Sequence, residues 1–289
     1  MRPFRPGLLL FVLLVHSLSL SAQQTTSTSS PPATSDPQAV ALLQRSLSAL
    51  TGSVSISDVT LTGSAHRIAG SDDETGTATL TAMIGGNSKV SLSFPSGPRT
   101  EIRNSAGIPL ADSVPPGVPA QASPVAQEVG AWSGPDGVLH GIANHNLTDA
   151  TWFFPVFTVA NLVSSGNYAL SYIGQETLDG QPVWHVSAVQ PSSDPRPGIA
   201  ELTQHLTQID IFIDPTTYRP VALSFNAHPD DNATVDIAVG ILFSDYQSLN
   251  GVEVPLHLQK YLNGGLVLDV QLSNAILNSG LAASTFAIQ

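Results

Sequence analysis

From residue 209 onward, apolar side chains recur at every second position. Ile209, Ile211 and Ile213 begin the pattern, followed by Val221, Leu223 and Phe225, then Val235, Ile237, Val239, Ile241 and Phe243. Val252, Val254, Leu256 and Leu258 continue it, and Leu266, Leu268, Val270 and Leu272 close it. A period of two gives each strand one apolar face. The breaks between runs are short and turn-forming: Asp214-Pro215-Thr216-Thr217, Asn250-Gly251 and Asn263-Gly264-Gly265. Breaks this short permit only antiparallel hairpins. The same signature marks 59–68, 75–84, 89–94, 99–102, 168–175 and 182–189, for about eleven strands in a meander. A sheet of that size, apolar along one face, must curl or be covered.

Two segments with helical spacing supply the cover. Asp36-Pro37 is an N-cap carboxylate before proline, and Val40, Leu43, Leu47 and Leu50 form one face over 37–50 before Gly52 stops it. The second helix is expected over 149–164. The expected fold is α+β: a large curled antiparallel β-sheet, an incomplete barrel, covered by a few helices.

Composition narrows the function. The chain has no cysteine, which excludes disulfides, thiolate metal sites and a lipidated N-terminal cysteine. Ten basic residues stand against 22 acidic ones, so no basic footprint for nucleic acid exists. Arg2 and Arg5 precede an apolar run from Leu8 to Val15 and the small residues Ser19 to Ala22, the pattern of a cleavable signal peptide over 1–22. Its loss removes two arginines and moves the net charge from −12 to −14. A Ser/Thr/Pro-rich flexible linker is expected over 23–36, then a single domain over 37–289. Within that domain, 105–135 reads as a Pro/Gly/Ala-rich insertion carrying a short helix near 124–129.

The best candidate for apolar ligand binding is the group Trp152, Phe153, Phe154 and Phe157, of which the last three share a helical face. The same group also suits a buried cover for the sheet. The string AHPDD over 227–231 looks like the metal-binding signature of the LmbE-like deacetylases, with His228 and the aspartates Asp230 and Asp231 as the weaker alternative site. That family sets the string in an α/β domain, whereas here the surrounding pattern is β, and a polar hairpin loop explains it as well. His140 and His145 are spaced for neither a helix face nor a strand face and read as loop polarity. No cofactor is expected.

Several strings together resemble a known family. IDIFIDPTTYRPV (209–221), FSDYQSLNGVEVP (243–255), GQETLDGQPVWHV (174–186), PRTEI (98–102) and the ending 274–286 are similar to the superfamily of the periplasmic lipoprotein carrier LolA. The helix over 37–50 sits where that fold has its first helix. The implied branch is secreted and of acidobacterial type. The resemblance implies an incomplete barrel around helices, LolA/LolB-like, enclosing an apolar cavity for acyl chains. It implies an exported, non-catalytic carrier whose partner is a hydrophobic ligand or a lipoprotein acyl chain. The alternatives are an envelope interaction protein with a packed core and a metal-dependent hydrolase. N-terminal sequencing of the exported protein should read from Gln23; an intact Met1 would overturn the cleavable signal.

Overall fold

The structure, a computed structural model, describes residues 34–105, 129–192, 194 and 196–288. The expected signal peptide, the linker as far as residue 33 and positions 106–128 of the expected insertion lie outside the described residues. The last linker residues dock onto the domain: Asp36 N–H donates to the Leu170 carbonyl at 2.7 Å, and Ser35 Oγ accepts from Leu170 N–H at 3.1 Å.

Among the described residues, thirteen strands form one antiparallel sheet. The first half is a meander of β1 (Asp58–Ala69), β2 (Asp72–Met83), β3 (Ser88–Phe94), β4 (Gly97–Asn104), β5 (Val129–Ser133) and β6 (Leu139–Gly141). The second half is another, made of β7 (Ala169–Leu178), β8 (Gln181–Val189), β9 (Ile209–Ile213), β10 (Pro220–Ala227), β11 (Ile237–Leu249), β12 (Val252–Leu262) and β13 (Gly265–Leu277). The first strand pairs with the last, joining the two meanders, so β6 and β7 are left as the edges of the sheet. The fold is therefore the expected open, curled sheet, with two strands more than the eleven read from sequence.

Those two strands are β5 and β6. They have five and three residues, too few for alternation to register, and Gly130 and Gly141 dilute the pattern further. Val129, expected at the end of a short helix, opens β5 instead. Among the described residues three α-helices accompany the sheet: α1 (Pro37–Thr51), α2 (Pro155–Ser164) and α3 (Ile199–Thr207), the last not expected from the sequence. α3 has only nine residues and no buried side chain, although Ile199, Leu202 and Leu206 share one helical face. α2 is shorter than the expected 149–164. Pro155 occupies its first turn, and Phe154 before it, at φ −134° and ψ 88°, is kept out of the helical region that a following proline disfavours. Trp152, Phe153 and Phe154 thus lie in a turn ahead of the helix rather than on its face.

The hairpins follow the turn chemistry. Leu249 pairs with Val252 around Asn250 and Gly251, whose φ values of 52° and 84° are the left-handed pair of a two-residue turn. The inward face is the alternating apolar one. Ile209, Ile211, Ile213, Val239, Ile241, Phe243, Leu268, Val270 and Leu272 are buried there, each contributing roughly 1.5–3 kcal/mol. α1 adds Ala39, Leu42, Leu43 and Leu50 to the same core, capped by Asp36 Oδ1 accepting from Gln38 N–H at 2.8 Å.

The β1–β13 junction has special chemistry at two points. Its register shifts between Thr62 and Gly63, and a Cβ at Gly63 would overlap the Gln271 carbonyl and the Leu272 Cα, so only glycine fits. At the end of the junction the Asp58 carboxylate, 1% exposed, accepts from Ser279 N–H and Oγ–H at 2.7 Å, Ser57 Oγ–H at 2.9 Å and Gly280 N–H at 3.0 Å. Burial opposes its charge, but these bonds outweigh it and hold the carboxyl below the ordinary aspartate range. A depressed folded pKa stabilises the protein above the unfolded value and is lost as pH falls through the folded one. Asp58→Ala should destabilise the fold by about 2–4 kcal/mol at neutral pH in urea melts, with the gap to wild type closing between pH ~5 and pH ~2. An unchanged gap across that window would refute the assignment.

Candidate functional site

Between the edge strands β6 and β7 the chain crosses from one side of the sheet to the other. This crossover holds a 3-10 turn at Asn144–Asn146, the turn before Pro155, and α2. It carries all four aromatics singled out in the sequence. Trp152 is 4% exposed, Phe153 and Phe154 are fully buried and Phe157 is 3% exposed, all within the single apolar core shared by α1 and the sheet. Trp152 meets Phe153 edge to face at 5.6 Å between centroids, and Phe154 meets Phe157 likewise at 4.9 Å. The aromatics therefore occupy the space between cover and sheet.

Beneath them lies a charged group that the sequence reading missed. Lys260 on β12 is in register with Ile241 and Leu268, both inward-facing. Glu101 on β4 is opposite buried Val90, and Arg103 is opposite buried Ser88. Side chains directly opposite share a face, so these three charges point inward. Arg103 Nε donates to Glu101 Oε1 at 3.0 Å, and its Nη1 donates to the Asn146 carbonyl at 2.6 Å. The Lys260 ammonium stands 4.7 Å from the Trp152 ring centroid, a cation–π contact. Burial raises the Glu101 carboxyl, but Arg103 and Lys260 outweigh it and hold it below the ordinary range. Burial depresses the Lys260 ammonium, with Glu101 opposing that shift. The signal was present in the strand period: Lys260 falls on the same alternate positions as Val252, Val254 and Leu258.

Next to α2 a recess of about 220 Å³ is lined by Asp149, Thr151, Phe157, Thr158, Asn161 and Gln190, among others. Its volume suits small polar molecules rather than an acyl chain. Asp149 is held at φ 44° and accepts from Thr158 Oγ–H at 2.9 Å. Burial pushes its carboxyl up to about 6, against the lowering from Thr158, Thr151 and Arg103.

The AHPDD segment follows β10. His228 is buried, whereas Asp230 and Asp231 are exposed on the connection to β11, and the three do not converge. Among the described residues, the group within metal-binding reach of one another is His205, His228 and Asp236. His140 is exposed and stacks on Trp132, while His145 packs edge-on against His228 at 5.9 Å.

Comparison with family models finds no match, and none is found among curated proteins. Solved structures do match. A domain provisionally assigned to outer membrane lipoprotein sorting, from Vibrio parahaemolyticus, is similar at TM-score 0.50 and 13% identity, over 86% of this chain and 96% of that one. A LolA superfamily protein from Nitrosomonas europaea is similar at TM-score 0.49 and 10% identity, over 86% and 97%. The chain shares the fold of that lipoprotein-sorting domain.

Asp149 gives a test of the crossover. A raised folded pKa gives stability that is present below the unfolded value of 3.8 and lost as pH rises to about 6. Asn tolerates the left-handed backbone and still accepts from Thr158. Asp149→Asn should therefore stabilise the protein at pH ~7.5 by on the order of 1–3 kcal/mol and match wild type near pH ~3.5 in denaturant melts. Destabilisation at both pH values would contradict the assignment.

Proposed function

We propose that this protein is an exported, non-catalytic carrier that holds an acyl chain on the inward face of its sheet. The single observation that carries this reading is the inward-facing Lys260 ammonium set against the Trp152 ring, with Arg103 near enough to act on its charge, next to the apolar core. Arg103 pairs with Glu101 and also acts on Asp149, while Lys260 makes no ion pair within 4.0 Å among the described residues, which leaves its ammonium as the cation for a head group. That combination suits an amphiphile with an anionic head, a fatty acid or a lipid phosphate.

Entry requires the crossover to lift. β6 and β7 are not paired with each other, so moving the segment that spans them breaks no strand ladder. Burying roughly ten methylenes at about 0.8 kcal/mol each offsets the displacement of one or two aromatics at ~3–5 kcal/mol each. The 1–22 pattern supports export, and no described helix is long and apolar enough to cross a membrane.

A second reading, an interaction protein that binds no lipid, is favoured by the aromatics already filling the interior. One experiment separates the two. Trp132→Phe with Trp184→Phe leaves Trp152 as the single tryptophan of three. Palmitate below its micelle concentration should shift Trp152 emission and give a 1:1 adduct in native mass spectrometry. Lys260→Met should weaken palmitate about tenfold while leaving hexadecanol binding unchanged. Absence of both adduct and emission change would leave the interaction reading.

A further inference from the structure

At the rim of the sheet, three separate segments bring metal-binding side chains together. His205 comes from the last turn of α3, His228 from the residue after β10, and Asp236 from the residue before β11. Asp236 Oδ1 lies 2.9 Å from His205 Nε2 and 3.4 Å from His228 Nδ1. One ligand atom from each residue falls within 4.8 Å of the others. Around a tetrahedral zinc with bonds near 2.0 Å, ligand atoms stand about 3.3 Å apart. The His205–Asp236 separation is close to that edge.

The His228 imidazole is short of partners. Its side chain is fully buried, Nδ1 faces the Val235 carbonyl at 3.0 Å, and Nε2 is buried with no hydrogen bond among the described residues. A carbonyl only accepts, so Nδ1 carries the proton and the lone pair rests on the unpartnered Nε2, which leaves the imidazole a donor atom for an ion while the carbonyl holds Nδ1–H. The backbone around it is fixed in advance. Asn146 Nδ2 donates to the His228 carbonyl at 2.7 Å, and His228 N–H donates to Asn146 Oδ1 at 2.8 Å. Thr148 Oγ–H donates to the Leu206 carbonyl at 2.9 Å, tying the end of α3 to the same crossover. His205 and Asp236 remain partly exposed, at 40% and 46%, so an ion can arrive from solvent.

We propose that His205, His228 and Asp236 form a site for a divalent transition-metal ion of the zinc class. Two imidazoles and one carboxylate make a neutral-to-anionic donor set of the borderline kind that zinc takes, with water completing the shell. The ion would pin α3 to the β10–β11 connection. The set differs from the ligands suggested by the AHPDD string: Asp230 and Asp231 give way to residues 23 positions before and 8 positions after His228. This site lies outside the aromatic interior, and none of its three ligands belongs to the acyl-chain reading.

The test uses untagged protein treated with EDTA and then titrated calorimetrically with zinc chloride alone. The expected result is about one zinc per chain, with a melting temperature raised by roughly 5 °C at a hundredfold excess over Kd. His205→Asn with Asp236→Asn changes only the exposed ligands, so the fold should persist by circular dichroism while affinity falls at least tenfold. His228→Ala should do the same where it folds. No zinc uptake at about 100 μM, or the double variant binding as wild type does, overturns the site. The remaining His–carboxylate pairs on the sheet, such as His257 with Asp269, are unchanged in these variants and serve as the internal control.

Discussion

The antiparallel pairing of β1 with β13 is the contact on which everything else rests. Each half of the chain is a local meander that could form by hairpin closure alone, but neither half encloses an interior. Only the junction of first strand with last converts two sheets into one curled surface. It requires loop closure across most of the chain, the costliest kind of contact to form. The molecule supports it chemically at both points where it is vulnerable. Gly63 allows the close approach at the bulge, and Asp58 gathers the hydrogen bonds of Ser279 and Gly280 at its end.

The junction also decides where the opening lies. Once β1 and β13 are joined, the unpaired edges must be β6 and β7, and the chain between them has to cross the gap. That crossover is the aromatic segment. Its apolar side chains cover the interior, while the polar ones around Asp149 face a small recess. The same arrangement brings Lys260 of β12 against Trp152, with Glu101 and Arg103 of β4 near enough to act on its charge. Cover, opening and charged interior are thus consequences of one pairing.

Legibility followed interaction range. Strands whose alternation ran over several residues, and turns such as Asn250-Gly251, were readable because they depend on neighbours in sequence. β5 and β6 were not, because three to five residues cannot display a period. The start of α2 is marked by Pro155, while the four aromatics within six residues mimic a helical face ahead of it. The aromatics were legible as apolar, but whether they face ligand or core was not a local property. His228 stood out in sequence because of the aspartates beside it. Its spatial partners are His205 and Asp236, on different segments, and no local string contains them.

By itself, the sequence determined that this chain makes a one-faced antiparallel sheet with a capped first helix and no thiol chemistry. Those outcomes depend on periodicity, turn residues and composition, which act over a few positions. Tertiary structure alone decided which strands are edges, that Lys260, Arg103 and Glu101 meet indoors, and that two histidines and an aspartate converge at the rim. Each of these requires residues tens to hundreds of positions apart to be held at bonding distance, and only the closed β1–β13 junction and its crossover supply that restraint.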